Sequence, residues 1–403
     1  MRASRHEQRR AIRSRPARET VLPATDPLYL DANASETLRP AARAAILAAL
    51  DAANPASIHR LGRAARHILE KSRETIALHC RARPQDLVFT SGATEANALA
   101  IHALGANRPI LIGATEHDAI RAPAQATGRA VIVPVTRSGV IDLAALERLL
   151  AAHQGALVCL MEANNETGVI HPIPAIAALC ATHQAILHVD AAQSAGRLRT
   201  DPLGAGAASL ALSSHKLGGP KGAGALVLAP SIADQLTPLI IGGGQERGRR
   251  GGTPDLPAIA GFAAAIAAIG PEEPHRLQRL RDQIEEGARA LGADIIGQDA
   301  PRLPNTTCLA VRTLAAQTQV IALDLAGIAV SAGSACSSGK VARSPVLDAM
   351  GLEALAGCAI RVSLPWNCPD DAPARFLDAY QNSITRALHK ADRSHIASAE
   401  PVV

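Results

Sequence analysis

The 403-residue chain contains only one Trp, two Tyr and three Phe, so its core must be built from Leu, Ile, Val and Ala. Its longest apolar stretch, residues 258–269, is Ala-rich and too short to cross a bilayer, which argues against a membrane partner. Seven cysteines, an odd number without CxxC spacing, favour neither a disulfide framework nor a zinc site. No secretory apolar segment opens the chain. We therefore expect a cytoplasmic protein with reduced thiols and no bound metal.

The excess positive charge is confined to one end of the chain. Residues 1–20 hold seven Arg against two Glu, which equals the whole net charge of +5 and leaves the remaining chain neutral. A neutral body argues against a nucleic-acid-binding groove. We expect the basic segment, residues 1–26, to be a disordered tail, with a transit peptide as the alternative interpretation.

Short apolar runs alternate with amphipathic segments from residue 87 onward. Seven of these runs have the composition of strands, namely 87–89, 110–112, 130–135, 157–161, 185–189, 210–213 and 225–229. Helical segments lie between many of them. This alternation predicts an α/β fold with a mostly parallel seven-stranded sheet flanked by helices.

The pattern changes after residue 254. Helical segments there are interspersed with three strand candidates, 307–312, 328–332 and 359–364, and a last helix is expected at 371–390. This pattern predicts a smaller α+β domain at the C-terminal end. We assign residues 27–265 to a large domain whose first residues pack with the small domain, 266–392 to that small domain, and 393–403 to a tail.

Polar residues follow the ends of several predicted strands, where ligands of open α/β sheets bind. Thr94 opens a helix after a glycine, which suits either a phosphate or a plain N-cap. Asp190 and Lys216 would, each alone, be ordinary loop or surface residues. Together, a lysine for a Schiff base, a carboxylate for a pyridinium nitrogen and a phosphate cradle meet the protein-side requirements of pyridoxal phosphate.

Blocks of sequence in a fixed order carry a family resemblance. They are YLDANAS (29–35), NPASIHRLGR (54–63), FTSGATEAN (89–97), TEH (115–117), NNETGVI (164–170), HVDAAQSAG (188–196), SSHKLGGPKGAGAL (213–226), GGGQERGRRGGTPD (242–255), SAGSACSSGK (331–340) and IRVSL (360–364). In these blocks the chain resembles the NifS/IscS-type cysteine desulfurases of the class V aminotransferase group, which are fold-type I pyridoxal-phosphate enzymes.

The resemblance implies a role for each matching position around pyridoxal phosphate. Lys216 would hold the cofactor covalently and move the Cα proton, Asp190 would pair with the pyridine nitrogen, and His117 would stack on the ring and act as an acid/base. Gln193 and Asn165 would face the ring hydroxyl and the substrate. The phosphate would be held by Ala93, Thr94, Ser213 and His215.

The resemblance also implies a second subunit and a substrate site. Thr253 would reach the cofactor phosphate of the neighbouring subunit, which implies a homodimer. Arg361 and Asn33 would bind the carboxylate of the L-cysteine substrate, the arginine through a bidentate fork.

Cys336 differs from the other cysteines in its surroundings. Four of them, Cys80, Cys159, Cys180 and Cys308, lie in apolar runs or helical patterns and fit the role of small buried residues. Cys336 instead lies among the small polar residues of 331–339, which suits a thiol that must travel. By resemblance it is the nucleophile that takes sulfur from the substrate as a persulfide and passes it to an acceptor protein, for iron–sulfur cluster assembly or thiolated cofactors or tRNA.

Two substitutions depart from the family pattern near the site, and alternatives stay open. Ser214 replaces the usual Gly before His-Lys, and Pro365 replaces a Gly, where it removes a backbone donor. The residues 394–403 match no known docking tail. A selenocysteine lyase or another class V lyase or aminotransferase would keep Lys216 and Asp190 without needing Cys336. A catalytically silent scaffold, or a nucleic-acid-binding protein using the basic tail, would need none of them.

Overall fold

The computed structural model of the chain describes residues 27–333 and 343–397, with side chains described through residue 385. The basic tail and Cys336 therefore lie outside the described residues. Twelve strands are formed in this part of the chain: β1 (Leu28–Tyr29), β2 (Leu87–Thr90), β3 (Ile110–Gly113), β4 (Ala130–Val133), β5 (Leu157–Met161), β6 (Ile186–Asp190), β7 (Ser209–Ser213), β8 (Gly224–Leu228), β9 (Asp294–Ile296), β10 (Thr306–Ala310), β11 (Ile328–Ala329) and β12 (Ala359–Ser363).

The same residues form eleven α-helices, most of which precede or follow a strand. They are α1 (Pro40–Ala49), α2 (Arg60–His79), α3 (Ala93–Leu104), α4 (Asp118–Ala126), α5 (Leu143–Ala152), α6 (Ile173–Thr182), α7 (Leu256–Ala267), α8 (Glu273–Ala290), α9 (Ala316–Leu325), α10 (Pro345–Ala349) and α11 (Ala372–Ala397). None of the described helices is long and apolar enough to span a lipid bilayer.

The main sheet has seven strands in the order β2-β8-β7-β6-β5-β3-β4. All of its neighbouring strands run parallel except β8, which is antiparallel to both β2 and β7. This confirms the predicted mostly parallel seven-stranded sheet, and each predicted run coincides with a strand to within a few residues.

Both faces of the sheet are covered, which explains why its strands read as nearly continuous apolar runs. Successive residues of β5 alternate between two cores because side chains of a strand alternate in direction. Val158 and Leu160 join a core with α2, α5, α6 and α7. Leu157 and Cys159 join a core with α3 and α4 on the opposite face.

The C-terminal part of the chain forms a second, smaller sheet. Strands β9, β10 and β12 are antiparallel in the order β12-β10-β9, and β11 pairs with β1 from the start of the described chain. Leu28 and Leu30 pack in the same core as residues of α8, β10 and α11. Because α7 packs on α1 and α2 whereas α8 packs on α11, we propose a boundary between two domains close to residue 265, as the sequence suggests.

Three of the elements differ from those that the sequence predicts. Strands β1 and β9 were not predicted, because strands of two and three residues are too short to show an alternating pattern. The last helix extends to Ala397, beyond the predicted end at residue 390 and into the predicted tail.

Candidate active site

A cavity of about 500 Å³ opens at the carboxyl ends of the parallel strands of the main sheet. This is the edge where open α/β sheets bind their ligands. Nine of the ten residues predicted to contact the cofactor line it: Ala93, Thr94, His117, Asn165, Asp190, Gln193, Ser213, His215 and Lys216. Lys221 and Gly222, which the sequence did not single out, line it as well.

Lys216 ends a short 3₁₀ turn, Ser214–Lys216, that follows β7 directly. Its Nζ donates hydrogen bonds to the backbone carbonyl oxygens of Asn33 and Ala34, the latter at 3.1 Å. These bonds hold the amine at the wall of the cavity, which Asp190 also lines.

Asp190 is the last residue of β6 and is only 6% exposed. Its Oδ1 accepts a hydrogen bond from the Ala192 backbone N–H at 2.9 Å, and its Oδ2 accepts one from Asn97 Nδ2 at 2.7 Å. Burial raises the pKa of Asp190, although these two bonds and the positive charges of His117 and Lys216 oppose the rise. A buried carboxylate whose hydrogen-bond donors are neutral amides is a favourable partner for a cationic ring nitrogen.

His117 is an exposed residue at the mouth of the cavity and caps the N-terminus of α4. Its Nδ1 accepts a hydrogen bond from the Ala119 backbone N–H at 3.1 Å. Since Nδ1 acts as the acceptor, the neutral imidazole carries its proton on Nε2. The proton that His117 can exchange with a ligand is therefore the one at Nε2.

The N-terminus of α3 provides an anion cradle. Gly92 is its N-cap, and no side chain caps the first turn, so backbone N–H groups there are available to a phosphate. The backbone of β8 passes close to the start of α3, because a Cβ on Gly224 would lie 2.5 Å from the Cα of Gly92. His215 lies nearby, and burial, together with the charges of Lys216 and Lys221, lowers its pKa to about 4.

Gln193 is held by a residue that sequence reasoning missed. Its Oε1 accepts a hydrogen bond from Arg197 Nη1 at 2.5 Å, and its Nε2 donates to the Asn33 carbonyl at 3.0 Å. Arg197 is buried and lies 3.8 Å from the Glu36 carboxylate. The only local signal for Arg197 is its position four residues after Gln193, in a turn region.

Arg361 lies on β12 and is 4% exposed. Its Nη2 donates to Asp31 Oδ1 at 2.6 Å and its Nη1 donates to the Asn165 carbonyl at 3.2 Å. Its Nε–H is buried and makes no hydrogen bond with the described residues. An unpaired guanidinium donor of this kind suits the carboxylate of a ligand.

The side chain of Asn33, which by resemblance would bind the substrate carboxylate, makes its hydrogen bonds within the protein. Its Nδ2 donates at 3.0 Å to both the Asn165 carbonyl and Thr306 Oγ1, so both of its amide hydrogens are used. The side chain is 1% exposed and does not line the cavity. Its role toward a substrate carboxylate stays a prediction, and its backbone carbonyl is the part that reaches Lys216.

Thr253, the tenth predicted cofactor residue, lies outside this cavity. It lines a separate cavity of about 420 Å³ formed by α2 and the loop before α7. That loop is fixed by Glu246, which accepts two hydrogen bonds of 2.8 Å from Arg73 and one of 2.9 Å from the Phe89 backbone N–H. Thr253 also lines a smaller cavity of about 120 Å³ that includes Ser91 and Gly222, two residues that line the main cavity as well.

Cys336 lies within residues 334–342, outside the described residues, but the other six cysteines can be assessed. All six are free thiols, and five have a pKa raised by burial, which disfavours the reactive thiolate. These five are Cys80, Cys159, Cys180, Cys308 and Cys368. The sixth, Cys358, is half-buried and its Sγ contacts the Arg312 carbonyl at 3.6 Å.

Neither of the two departures from the family pattern lines the cavity. Ser214 is fully buried, and its Oγ fits because Gly219 has no side chain, but this hydroxyl makes no hydrogen bond with the described residues. Pro365 lies in a turn closed by a 2.9 Å bond from the Cys368 N–H to the Pro365 carbonyl. The adjacent Trp366 donates from its indole to the Thr37 carbonyl at 3.0 Å, which fixes this turn on the first segment of the chain.

The residues present fit pyridoxal phosphate. One cavity joins the amine of Lys216, the buried carboxylate of Asp190 and the uncapped N-terminus of α3. These groups suit, in turn, an aldehyde, a protonated ring nitrogen and a phosphate. No group of three or more potential metal ligands occurs among the residues whose positions are described.

Comparison with known proteins agrees with this arrangement. Residues 28–371 match the model of the class-V aminotransferase family, so the chain belongs to that family. A cysteine desulfurase of Cereibacter sphaeroides is 40% identical over 354 residues, covering 84% of this chain and 90% of the relative. An IscS-like cysteine desulfurase of Mycobacterium tuberculosis is 35% identical over 392 residues, covering 92% of this chain and 98% of the relative.

Solved structures show the same similarity. A NifS-like protein from Rickettsia africae has a TM-score of 0.82 and 32% identity, covering 89% of this chain and 99% of the neighbour. A structure of SspA in complex with cysteine has a TM-score of 0.74 and 30% identity, covering 84% of this chain and 99% of the neighbour. The family resemblance and the fold class predicted from the sequence are therefore confirmed.

The low pKa of His215 predicts a pH-dependent contribution to the stability of the cofactor-free protein. Between about pH 6.5 and about pH 4, the unfolded chain protonates this histidine whereas the folded protein keeps it neutral, so acid reduces stability. His215→Gln should therefore lose less free energy of unfolding than the wild type between about pH 7 and about pH 5. Urea unfolding at both pH values measures this, with exposed His67→Gln as control. An equal loss in wild type and His215→Gln would contradict the prediction.

Proposed function

We propose that this protein is a pyridoxal-phosphate-dependent cysteine desulfurase that converts L-cysteine to L-alanine and takes the sulfur on Cys336 as a persulfide. The observation that carries the proposal is the convergence of Lys216, Asp190 and the N-terminus of α3 on one cavity. The similarity to curated cysteine desulfurases over most of the chain supports the same reaction.

The cofactor, when bound, would supply an electron sink for the electron pair released at the substrate Cα. Lys216 would hold it covalently and carry the Cα proton. Asp190 would keep the ring nitrogen protonated. The N–H groups of Ala93 and Thr94, with Ser213 and His215, would hold its phosphate.

The substrate would be oriented by residues around the opening of the cavity. The Nε–H of Arg361, which is buried and unpaired among the described residues, offers a donor to the substrate carboxylate. Arg361 does not line the cavity itself, but its Nη1 donates to the carbonyl of Asn165, which lines the cavity together with Gln193. His117 is exposed at the mouth, where its Nε2 can exchange a proton with the substrate sulfur.

Sulfur transfer requires a thiolate, since the thiol is a poor nucleophile. The thiolate of Cys336 would attack the substrate sulfur, so that an S–S bond forms while the Cβ–S bond breaks. The electron pair of that bond stays with the substrate carbon, which takes up a proton and leaves as alanine. Burial of five of the six other cysteines supports Cys336 in this role, because their raised pKa values disfavour the thiolate.

The destination of the sulfur and the compartment follow only by inference. We propose a cytoplasmic enzyme that passes the persulfide sulfur to an acceptor protein for iron–sulfur cluster assembly, a thio-cofactor or a thiolated tRNA. A selenocysteine lyase is the second candidate, because it would use the same cavity without Cys336. The complete set of Lys216, Asp190 and His117 around one cavity disfavours a silent scaffold.

Cys336→Ala separates desulfurase from lyase chemistry. The variant should bind the cofactor and change its visible spectrum on adding cysteine, because those events need only Lys216 and Asp190. It should release almost no alanine from cysteine, since no thiolate accepts the sulfur, yet it should retain some activity on selenocysteine, whose selenium leaves more readily. Assays of alanine release with both substrates test this. Cys358→Ala, at the half-buried thiol, is the matched control and should behave as wild type. Wild-type alanine release from cysteine by Cys336→Ala would refute the persulfide step.

The family resemblance at Thr253 predicts a homodimer with shared sites. Thr253 does not line the main cavity of its own chain, and by resemblance its hydroxyl serves the phosphate in the neighbouring subunit. Thr253→Val should weaken cofactor binding by about 10-fold or more, the effect of losing one hydrogen bond to a charged group. Lys216→Ala should lose the cofactor absorption band.

Mixing the two variants tests whether the site is shared. A mixed dimer has one site that combines an intact Lys216 with an intact Thr253 from the other chain. After subunit exchange, the mixture should therefore contain cofactor bound with wild-type affinity, measured by titration at the visible band. The shared site would be contradicted if the mixture bound the cofactor only as the average of the two separate variants does. A fully active monomer in sedimentation would contradict it as well.

A further inference from the structure

Three polar side chains form a buried line behind Asp190. Asn97 Nδ2 lies 2.7 Å from Asp190 Oδ2, His188 Nε2 lies 2.9 Å from Asn97 Oδ1, and His188 Nδ1 lies 2.8 Å from Ser209 Oγ. Asn97, His188 and Ser209 are fully buried, each with an exposed fraction of 0%. The line therefore runs from the cavity wall into the interior, across α3, β6 and β7.

The donor and acceptor of each hydrogen bond in this line can be assigned from the ionised Asp190 and the neutral ring of His188. An ionised Asp190 can only accept, so Asn97 presents its Nδ2 to the carboxylate and its Oδ1 to His188. His188 must then donate from Nε2. Burial lowers the pKa of His188 to about 3, so the ring is neutral and its Nδ1 accepts from the Ser209 hydroxyl. All three donors thus point toward Asp190.

This line stabilises the charge of Asp190 without neutralising it. The carboxylate receives its two bonds from the Asn97 amide and the Ala192 backbone N–H, and neither donor carries a formal charge. A cationic side chain in place of Asn97 would form an ion pair that competes with a cation in the cavity. Donors in a chain also polarise one another, which strengthens the bond at its end.

A packing role alone does not account for these residues. Replacing hydrogen-bonded buried partners by apolar groups of the same shape can be nearly neutral or stabilising, so packing alone does not require polar side chains at these three positions. The neighbouring positions on β6, Leu187 and Val189, are apolar and face the other core. His188 and Asp190 instead share the face toward α3, as residues two apart in a strand do.

We propose that Asn97 and His188 are positioning residues that keep the Asp190 carboxylate ionised and oriented for the protonated ring nitrogen of the cofactor. This inference rests on the proposed function, because it requires pyridoxal phosphate in the cavity. The other titratable groups that act on Asp190 are His117 and Lys216, which line the cavity, and Glu116, which lies in the segment after β3. The hydrogen-bonded line through Asn97 and His188 instead reaches the Asp190 carboxylate from the protein interior.

The test compares two ligands that differ only at the ring nitrogen. Cofactor-free protein is titrated with pyridoxal phosphate and with its carbocyclic analogue, in which C–H replaces the ring nitrogen, and both dissociation constants are measured. Asn97→Leu, of similar size, should weaken binding of pyridoxal phosphate by about 10- to 100-fold, the effect of losing a hydrogen bond to a charged group. Binding of the analogue should change by less than about 2-fold, because the analogue makes no bond to Asp190.

A purely structural role would give a different result. If Asn97→Leu weakens the binding of both ligands equally, or weakens the binding of neither, the proposal is wrong. If Asn97→Leu does not fold, two substitutions of His188 test the same proposal. His188→Gln retains a donor toward Asn97 Oδ1 and should bind both ligands nearly as the wild type does. His188→Met removes that donor and should lose affinity for pyridoxal phosphate selectively, so equal behaviour of the two variants overturns the proposal.

Failure of the proposed function would be recognised separately. In that case the wild type itself would bind neither ligand, or would bind both with the same affinity. If the wild type prefers pyridoxal phosphate and the variants keep the same preference, only the positioning role is wrong.

Discussion

The arrangement of the site depends on one buried carboxylate at the end of a central strand. Asp190 is 6% exposed beside the cavity, and the hydrogen bonds that it accepts from the described residues come from neutral donors, so its negative charge favours a cation on the cavity side. The other functional groups are arranged around that charge. Lys216 enters from the turn after the adjacent strand β7, and the phosphate cradle lies at the start of α3, which also carries Asn97. A ligand with an aldehyde, a basic ring nitrogen and a phosphate satisfies all three.

Much of this could be predicted because the main sheet is buried on both faces. Its strands appear as short apolar runs, and the polar residue at the end of each run marks the edge where ligands bind, which led to Asp190 and Lys216. The roles of individual residues, by contrast, came from the family resemblance. The two- and three-residue strands β1 and β9 were missed, because a strand that short has no period.

The supporting residues could not be predicted, because their partners are distant in sequence. His188 lies in an apolar run and reads as a core residue until Asn97, 91 residues earlier, is placed against it. The one local signal was its spacing of two from Asp190, which puts both side chains on the same face of β6. Arg197 and its bond to Gln193 are similar, since only the folded chain shows that this charge is buried beside Glu36.

Two lysines, Lys216 and Lys221, line the cavity, so the most direct test of the account is to find which one holds the cofactor. Protein loaded with pyridoxal phosphate is reduced with borohydride, digested, and the pyridoxyl-bearing peptide is identified by mass spectrometry. We expect a single modification, on Lys216, because this residue follows β7 directly and its amine lies beside the Asn33 carbonyl at the cavity wall. Modification of Lys221 instead, or the absence of any reducible bond to the protein, would contradict it.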